Sequence, residues 1–483
     1  MKLSELLKGI EIISHTADMD AEISGVSYDS RRTVPGDLFV AVRGFESDGH
    51  RFIPAAAAKG AAAVMCELAP EDGTPYVLVR DCRLGLALAS RNLFGDPASS
   101  MKIIGITGTS GKTTSSYIIK HMLEHTLGAR VGLIGTNGNM IGSELMHTEH
   151  TTPESYELQK LFRTMADSGC THVVMEVSSH SLVLERVAGV RFDTALYTNL
   201  SQDHLDFHNT MEEYAAAKKK IFSVCAAACV NADDAYASYM ISGESCRLIR
   251  YSVDGDAELR AEKVSMSPEG VAFDAVFGGC RAPVKLCIPG LFSVHNALGA
   301  IAVGLSLGIP LADCAEAMAS AKGVKGRLEL VPSDGDYSII IDYSHKPDAL
   351  ENVLKTLRTV TRGRLILLFG CGGDRDRKKR PIMGRIGASM SDICIVTSDN
   401  PRTEDPEAII DEIVSGVGEW GDRVVRICDR AEAIRAAIDK ARSGDVILLA
   451  GKGHEDYQVV GHEKRHMDER EIVAEYLETR KRK

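Results

Sequence analysis

Residues 103–115 read Ile103-Ile104-Gly105-Ile106-Thr107-Gly108-Thr109-Ser110-Gly111-Lys112-Thr113-Thr114-Ser115, an apolar run, a glycine turn, a Lys-Thr pair and the start of a helical pattern. Ile118, Ile119, Met122 and Leu123 continue that pattern at helical spacing. Strand, glycine loop and helix N-terminus in this order make a phosphate cradle. Backbone N–H groups point at phosphate oxygens, Lys112 adds positive charge, and the Thr113 hydroxyl can ligate Mg²⁺. The general pattern G-x-x-x-x-G-K-[ST] would place its first glycine at Ile106, so the loop here is the shorter T-G-T-S-G-K-T. An ordinary glycine turn is the bland alternative. It leaves the ordered succession of strand, loop, Lys-Thr and helix without a reason.

Outward from this loop, 483 residues are too many for one core and suggest roughly three domains. A hydrophobic share of 44% and a charged share of 25% are ordinary for a soluble globular protein. The net charge of -11 argues against a general nucleic-acid binder. The basic run Arg480 to Lys483 reads as a solvated terminus. Twelve scattered cysteines without a C-x-x-C pair fit reduced thiols. Met1-Lys2-Leu3-Ser4-Glu5 lacks the apolar core of a signal peptide, and no long uncharged apolar run occurs, so a cytoplasmic protein without a membrane span is expected.

The fold class expected is α/β in three domains, with boundaries at 1–98, 99–331 and 332–483. Asp37 to Val42 reads as a strand and Ala55 to Ala63 as an alanine-rich helix, giving a small N-terminal α/β unit. From Lys102 to about Val331, strands such as His172–Val177 and Thr194–Thr198 alternate with helices, which favours a largely parallel sheet; Gly255 to Pro289 reads as a subsidiary, strand-rich piece. After Pro332, the runs Ser338–Ile341, Leu365–Phe369, Ile393–Thr397 and Val446–Ala450 predict a second doubly wound, Rossmann-like domain.

Ligands of open α/β sheets gather beyond strand C-termini, so polar residues there invite a functional reading. Glu176 follows Val173-Val174-Met175 and could complete a Mg²⁺ shell begun by Thr113; a strand-end ion pair is the alternative. Thr198 to His208, T-N-L-S-Q-D-H-L-D-F-H, is rich in ligand types, although a single histidine is more often structural. Lys218, in A-A-A-K-K-K-I-F, reads by composition as one cation on a basic helix face.

The set T-G-T-S-G-K-T-T, M-E-V-S-S-H, T-N-L-S-Q-D-H-L-D-F-H and A-A-K-x-x-I-F, in this order, resembles the Mur ligases of peptidoglycan synthesis. Asp29-Ser30-Arg31, Pro35 to Ala41 and Asp48-Gly49-His50 are similar to the uridine-binding domain of the ligase that adds the third peptide residue. Gly326-Arg327-Leu328-Glu329, Asp342-Tyr343-Ser344-His345, F-G-C-G-G-D-R-D and A-G-K-G-H-E-D-Y-Q extend the resemblance over nearly the whole chain.

The resemblance implies a reaction and its residues. ATP would transfer its γ-phosphoryl group to the D-glutamyl side-chain carboxylate of UDP-N-acetylmuramoyl-L-Ala-D-Glu, and an amine would attack the acyl phosphate. Lys112, Glu176, His204 and Lys218 would be catalytic. Two Mg²⁺ ions are implied, one on Thr113 and Glu176, the other on His204 and an N6-carboxylated Lys218. Thr109, Ser110, Gly111, Lys112, Thr113, Thr114, Asn296, Arg327, Asp342 and His345 would contact ATP. Ser30, Thr151, Thr152, Ser178 and Arg186 would hold the UDP-sugar dipeptide; His150 and Leu184 depart from the family pattern, in which asparagine and glutamine are frequent there. A monomer is the family expectation.

Asp399-Asn400-Pro401-Arg402 resembles the signature of members that add meso-diaminopimelate; lysine-adding relatives lack the arginine. Diaminopimelate carries one more carboxylate than lysine, and a guanidinium grips a carboxylate bidentately. Arg402 is therefore expected to select it, with Arg375, Asp399, Asn400 and Pro401 around it and Glu455 with the Gly451 carbonyl receiving the distal ammonium. Loop capping is the alternative role for Arg402. F-G-C-G-G-D-R is not a dinucleotide fingerprint, because Arg375 occupies its third glycine position. Gly135-Thr136-Asn137-Gly138 reads as a turn near the substrate. Alternatives in function are a lysine-adding ligase, a folylpolyglutamate-type ligase, a P-loop kinase or switch ATPase, and a non-catalytic nucleotide-binding regulator.

Overall fold

A computed structural model of the chain describes residues 1–483 except Phe45, Glu46, His147, Glu149, Lys322 and Lys483, with the backbone alone for Asp206. Lys483, the last residue of the basic run, thus lies outside the described residues. The chain has the three-domain α/β architecture expected of it and divides into two compact units, residues 1–260 with 298–314, and residues 261–297 with 315–483.

The first unit opens with a five-stranded sheet in the order Ile12–His15, Tyr76–Val79, Ala63–Cys66, Asp37–Val40, Gly25–Ser27; the Ile12–His15 edge alone is antiparallel. Leu38, Val40, Ala63 and Met65 enter one core and Phe39, Val64 and Cys66 another. The period-two alternation of a strand explains why these runs are apolar throughout, since both faces are covered. The alanine-rich helix is shorter than its composition suggests. It spans Ile53–Ala58, and Ala63 already begins a strand. Gly60, at φ +87°, reverses the chain between them, a turn that alanine content does not signal.

The central sheet of this unit carries parallel strands in the order Val131–Gly135, His172–Glu176, Lys102–Thr107, Phe192–Tyr197, Cys225–Asn231, Arg247–Ser252, with antiparallel Gly138–Ile141 and Glu144–Met146 added beside Val131–Gly135. Ile106 pairs with both Glu176 and Leu196. The three strand C-termini at Thr107, Glu176 and Tyr197 therefore end side by side, and helix Lys112–Leu127 starts from this rim.

The second unit contains an antiparallel pair, Gly270–Phe277 with Cys280–Leu286, within the stretch read as strand-rich. Its principal sheet runs Glu329–Val331, Ser338–Asp342, Val446–Ala450, Leu365–Phe369, Ile393–Val396, Val424–Arg426, parallel except for the first. The four expected runs are inner strands, nearly all fully buried. Their C-termini present residues 343–345, 370–375, 397–402 and 451–455 on one rim. Among the described residues no helix is long and apolar enough to cross a membrane.

Candidate active site

The phosphate loop is held by its neighbour at the sheet rim. Asn199 accepts Thr109 N–H on its carbonyl at 2.9 Å and Ser110 N–H on its side-chain oxygen at 3.0 Å. Gly111, at φ +84°, turns the chain into the helix that carries Lys112, Thr113 and Thr114 on its first turn. Lys112 Nζ donates to the Gly108 and Thr109 carbonyls at 2.8 and 2.9 Å. A phosphate oxygen entering the loop would take over such contacts.

Thr113 Oγ1 donates to Glu176 Oε2 at 3.1 Å, so these two predicted metal ligands already meet. Thr136 holds the carboxylate from the other side, its N–H donating to Oε1 at 3.0 Å and its hydroxyl to Oε2 at 3.1 Å. A hydroxyl and a carboxylate facing each other are hard oxygen donors suited to Mg²⁺, whose remaining positions phosphate and water ordinarily fill. The sequence marks Thr136 only as part of a turn. The hairpin formed by Val131–Gly135 and Gly138–Ile141 turns it onto Glu176. Gly135 leaves the room: a Cβ there would lie 2.4 Å from Glu176 Oε1. Gly135→Ala is therefore expected to cost about 1–3 kcal/mol by overpacking at Glu176, which a thermal melt beside the unaltered protein checks.

The second proposed metal pair is half assembled. Lys218 is 2% exposed, donates to Gly108 O at 2.8 Å and lies 4.5 Å over the Tyr214 ring. Burial, with Lys112 nearby, pulls its amine well below the usual lysine range. The His204 ring stands 6.2 Å from Tyr214 and 4.9 Å from His180, its backbone in the left-handed region at φ +54°. The Lys218 amine donates to Gly108 O, and carboxylation would give it the hard oxygen ligands that suit Mg²⁺.

The predicted sugar-peptide residues mostly gather beside Glu176. Thr151 Oγ1 is 3.0 Å from Thr136 Oγ1, Thr152 Oγ1 donates to Glu176 O at 2.8 Å, Ser178 N–H donates to Thr152 Oγ1 at 3.2 Å, and Arg186 donates to Thr152 O at 3.2 Å. Glu154 pairs with Arg186 at 2.5 Å and with Arg83 of the N-terminal domain at 3.8 Å. Ser30 lies apart, in a turn entered through Tyr28, whose hydroxyl donates to Glu157 at 2.8 Å.

In the second unit, Arg327 lies over Tyr343 at 5.2 Å, Leu328 N–H donates to Asp342 Oδ2 at 2.8 Å, and His345 Nδ1 is 2.8 Å from Tyr343 O. Arg327, Asp342 and His345 are thus brought together around Tyr343. Burial raises the Asp342 carboxyl and lowers the His345 imidazole from their usual ranges. Glu329 ties this segment down, accepting Gly326 N–H at 2.7 Å and pairing with Arg470. Asn296 is buried on helix Leu291–Ser306.

A cleft of about 630 Å³ opens at the rim of the same sheet, lined by Tyr343, His345, Arg375, Asp399, Asn400, Arg402, Gly451 and Glu455 among others. Every predicted amino-acid contact except Pro401 faces it. Pro401 instead turns its carbonyl to Gly373, 1.9 Å from where a Cβ would fall. Arg402, at φ +52°, donates to Gly373 O at 2.7 Å, and Arg375 to Asp374 O at 3.1 Å. Two guanidiniums thus line the same cleft as the carboxylates of Asp399 and Glu455.

A brace not foreseen in the sequence joins these loops. Arg380, fully buried, donates to both oxygens of Glu404 at 2.8 and 2.9 Å, to Glu412 at 2.8 Å and to Gly372 O at 3.2 Å; Glu404 also accepts Asp374 N–H at 2.6 Å. Arg380 holds the Glu404 carboxyl down at about 2 against an ordinary 4.5. A folded-state value below the unfolded one stabilises the fold above pH 4.5, and this contribution is lost as pH falls toward 2. Acid titration is expected to loosen this brace over that window, and Glu404→Gln should flatten that part of the stability profile in a pH series of melts.

Residues 106–304 match the Mur ligase middle domain, 326–453 the Mur ligase, glutamate ligase domain, and 22–90 the Mur ligase family, catalytic domain. A Clostridium botulinum protein named UDP-N-acetylmuramoyl-L-alanyl-D-glutamate--2,6-diaminopimelate ligase is 45% identical over 99% of each chain. A protein of the same name from Caldanaerobacter subterraneus is 46% identical, also over 99% of each. A solved structure of a ligase so named aligns with TM-score 0.79 at 33% identity, covering 100% of this chain and 99% of its own.

Proposed function

We infer from one premise, that this chain belongs to the Mur ligase family, that it is an ATP-dependent ligase adding meso-diaminopimelate to the D-glutamyl side-chain carboxylate of UDP-N-acetylmuramoyl-L-Ala-D-Glu, a step of peptidoglycan precursor synthesis. The observation that carries the choice of amino acid is the cleft of the second unit, which Arg375, Arg402, Asn400 and Glu455 line together. A ligand with a carboxylate and an ammonium on one distal carbon matches that pairing of charges.

A carboxylate and an amine at neutral pH form a salt, so the carboxylate must first become an acyl donor. Transfer of the γ-phosphoryl group of ATP gives the acyl phosphate; the amine attacks its carbonyl carbon and inorganic phosphate leaves. Lys112 neutralises charge on the phosphates from the loop, and the N–H groups of residues 109–114 orient them. Thr151, Thr152, Ser178 and Arg186 place the peptide carboxylate, Ser30 the uridine, and Asn296, Arg327, Asp342 and His345 the nucleotide. Thr113 with Glu176, and His204 with N6-carboxylated Lys218, would hold two Mg²⁺ ions, which when bound shield the charge of the transferring phosphoryl group. Domains 1–98, 99–331 and 332–483 bring the uridine, phosphate and amino-acid sites respectively. The reading includes a cytoplasmic monomer acting on small molecules, in keeping with the acidic net charge.

The test is phosphate release with ATP, Mg²⁺ and the UDP-muramoyl-dipeptide, comparing meso-diaminopimelate with L-lysine and weighing the product. Release and a tripeptide mass with diaminopimelate alone are expected. Equal turnover with lysine would overturn the amino-acid assignment, and ATP turnover without any amino acid would favour a P-loop ATPase.

A further inference from the structure

Lys452 is fully buried, although it belongs to the loop that ends at the cleft residue Glu455. A buried ammonium needs an acceptor for each of its three N–H groups, and three are present: Tyr457 O at 2.5 Å, Asn400 Oδ1 at 2.6 Å and Glu455 Oε2 at 3.2 Å. Asn400 Oδ1 also accepts Val459 N–H at 2.9 Å. Two donors on this oxygen decide which way the amide faces, because the reversed amide would set NH₂ against an ammonium and an N–H. The Asn400 Nδ2 is thereby aimed at Glu455 Oε2, 2.9 Å away. Glu455 Oε2 receives both Lys452 and Asn400, and Oε1 accepts no hydrogen bond from the described residues, while Glu455 itself lines the cleft.

We propose that Lys452 is the positioning residue of the amino-acid cleft: it sets the orientation of Asn400 and Glu455 so that Glu455 Oε1 is presented to the distal ammonium of the amino-acid substrate. Lys452 cannot touch that substrate, since no part of it is exposed; it acts through two side chains that can. This rests on the cleft being the amino-acid site. The consequence concerns selectivity. Arg402 reads the distal carboxylate, and the array ordered by Lys452 reads the ammonium on the same carbon.

The probe is 2-aminopimelate, which keeps both carboxylates and lacks the distal ammonium. The unaltered enzyme is compared with Lys452→Met, Lys452→Gln and Asn400→Leu, measuring kcat and KM for each amino acid and KM for ATP. The unaltered enzyme should prefer meso-diaminopimelate. Lys452→Met should lose about ten- to hundredfold of that preference, through KM of diaminopimelate, with KM for ATP unchanged; Lys452→Gln, which keeps a donor for Asn400, should lose less. Asn400→Leu, which removes a cleft side chain as well as the lysine's amide acceptor, should lose at least as much as Lys452→Met, and Lys452→Gln decides the matter if Lys452→Met does not fold. Preference retained in Lys452→Met or in Asn400→Leu, or an equal loss of kcat with both amino acids, overturns the proposal. An unaltered enzyme that does not use diaminopimelate overturns the reading of the cleft instead.

Discussion

Arg402→Leu is expected to lower kcat/KM for meso-diaminopimelate by about thirtyfold to several thousandfold, the range for removing one partner of a desolvated, hydrogen-bonded charge pair. Turnover with L-lysine, which has no distal carboxylate, should change little. The expectation rests on how firmly the side chain is placed. Arg402 N–H donates to Val459 O at 3.0 Å, its carbonyl accepts Gly461 N–H at 2.7 Å, and its guanidinium reaches Gly373 O. A Cβ on Gly372 would fall 2.9 Å from that guanidinium, so the opposing loop is cut back to admit it. Arg402→Lys should recover only part of the loss, because a point charge cannot make the bidentate fork. Competition kinetics with both amino acids decide it; equal losses for the two would leave Arg402 as a loop anchor.

Lys218→Ala is expected to lower kcat by about a hundredfold or more, the scale of deleting one charge-stabilising group from a phosphoryl-transfer site. Short carboxylic acids added to this variant should restore part of the activity, since they return a carboxylate to the space the side chain leaves. The argument is geometric. Lys218 sits under the phosphate loop, bonded to Gly108 O and packed on Tyr214, next to the cation Lys112. An ammonium buried there would add repulsion from Lys112 to the cost of desolvation, whereas a carboxylated lysine would bring opposite charge. Mass spectrometry of intact protein under native conditions should show one added carbon dioxide. No added mass together with no rescue would return Lys218 to a structural role.

Much of this was legible because apolar runs followed abruptly by polar residues mark strand C-termini. Glu176, Asp399 and Gly451 stand out that way, the phosphate loop by its glycine and lysine spacing, and Asp342 only through the resemblance. Thr136 was missed because a turn residue gives no sign of where its hydroxyl points; only the hairpin register brings it to Glu176. Arg380 lies 24 residues from Glu404 and 32 from Glu412 in sequence, and none stands in a recognisable spacing, so their brace exists only in three dimensions. Lys452 lies inside a quoted motif, yet burial of a lysine cannot be read from composition, which assigns cations to the surface. The helix Ile53–Ala58 ends earlier than its composition suggests, because alanine favours a helix without ending one.

The brace of Arg380 on Glu404, Glu412 and Gly372 has an evolutionary consequence. It makes the two loops that carry Arg375 and Arg402 epistatic: a change in either is felt by the other through a shared buried cation. Drift toward a different amino acid would then proceed by exchange of both loops together, and single-loop intermediates would lie in a fitness valley of lost fold stability.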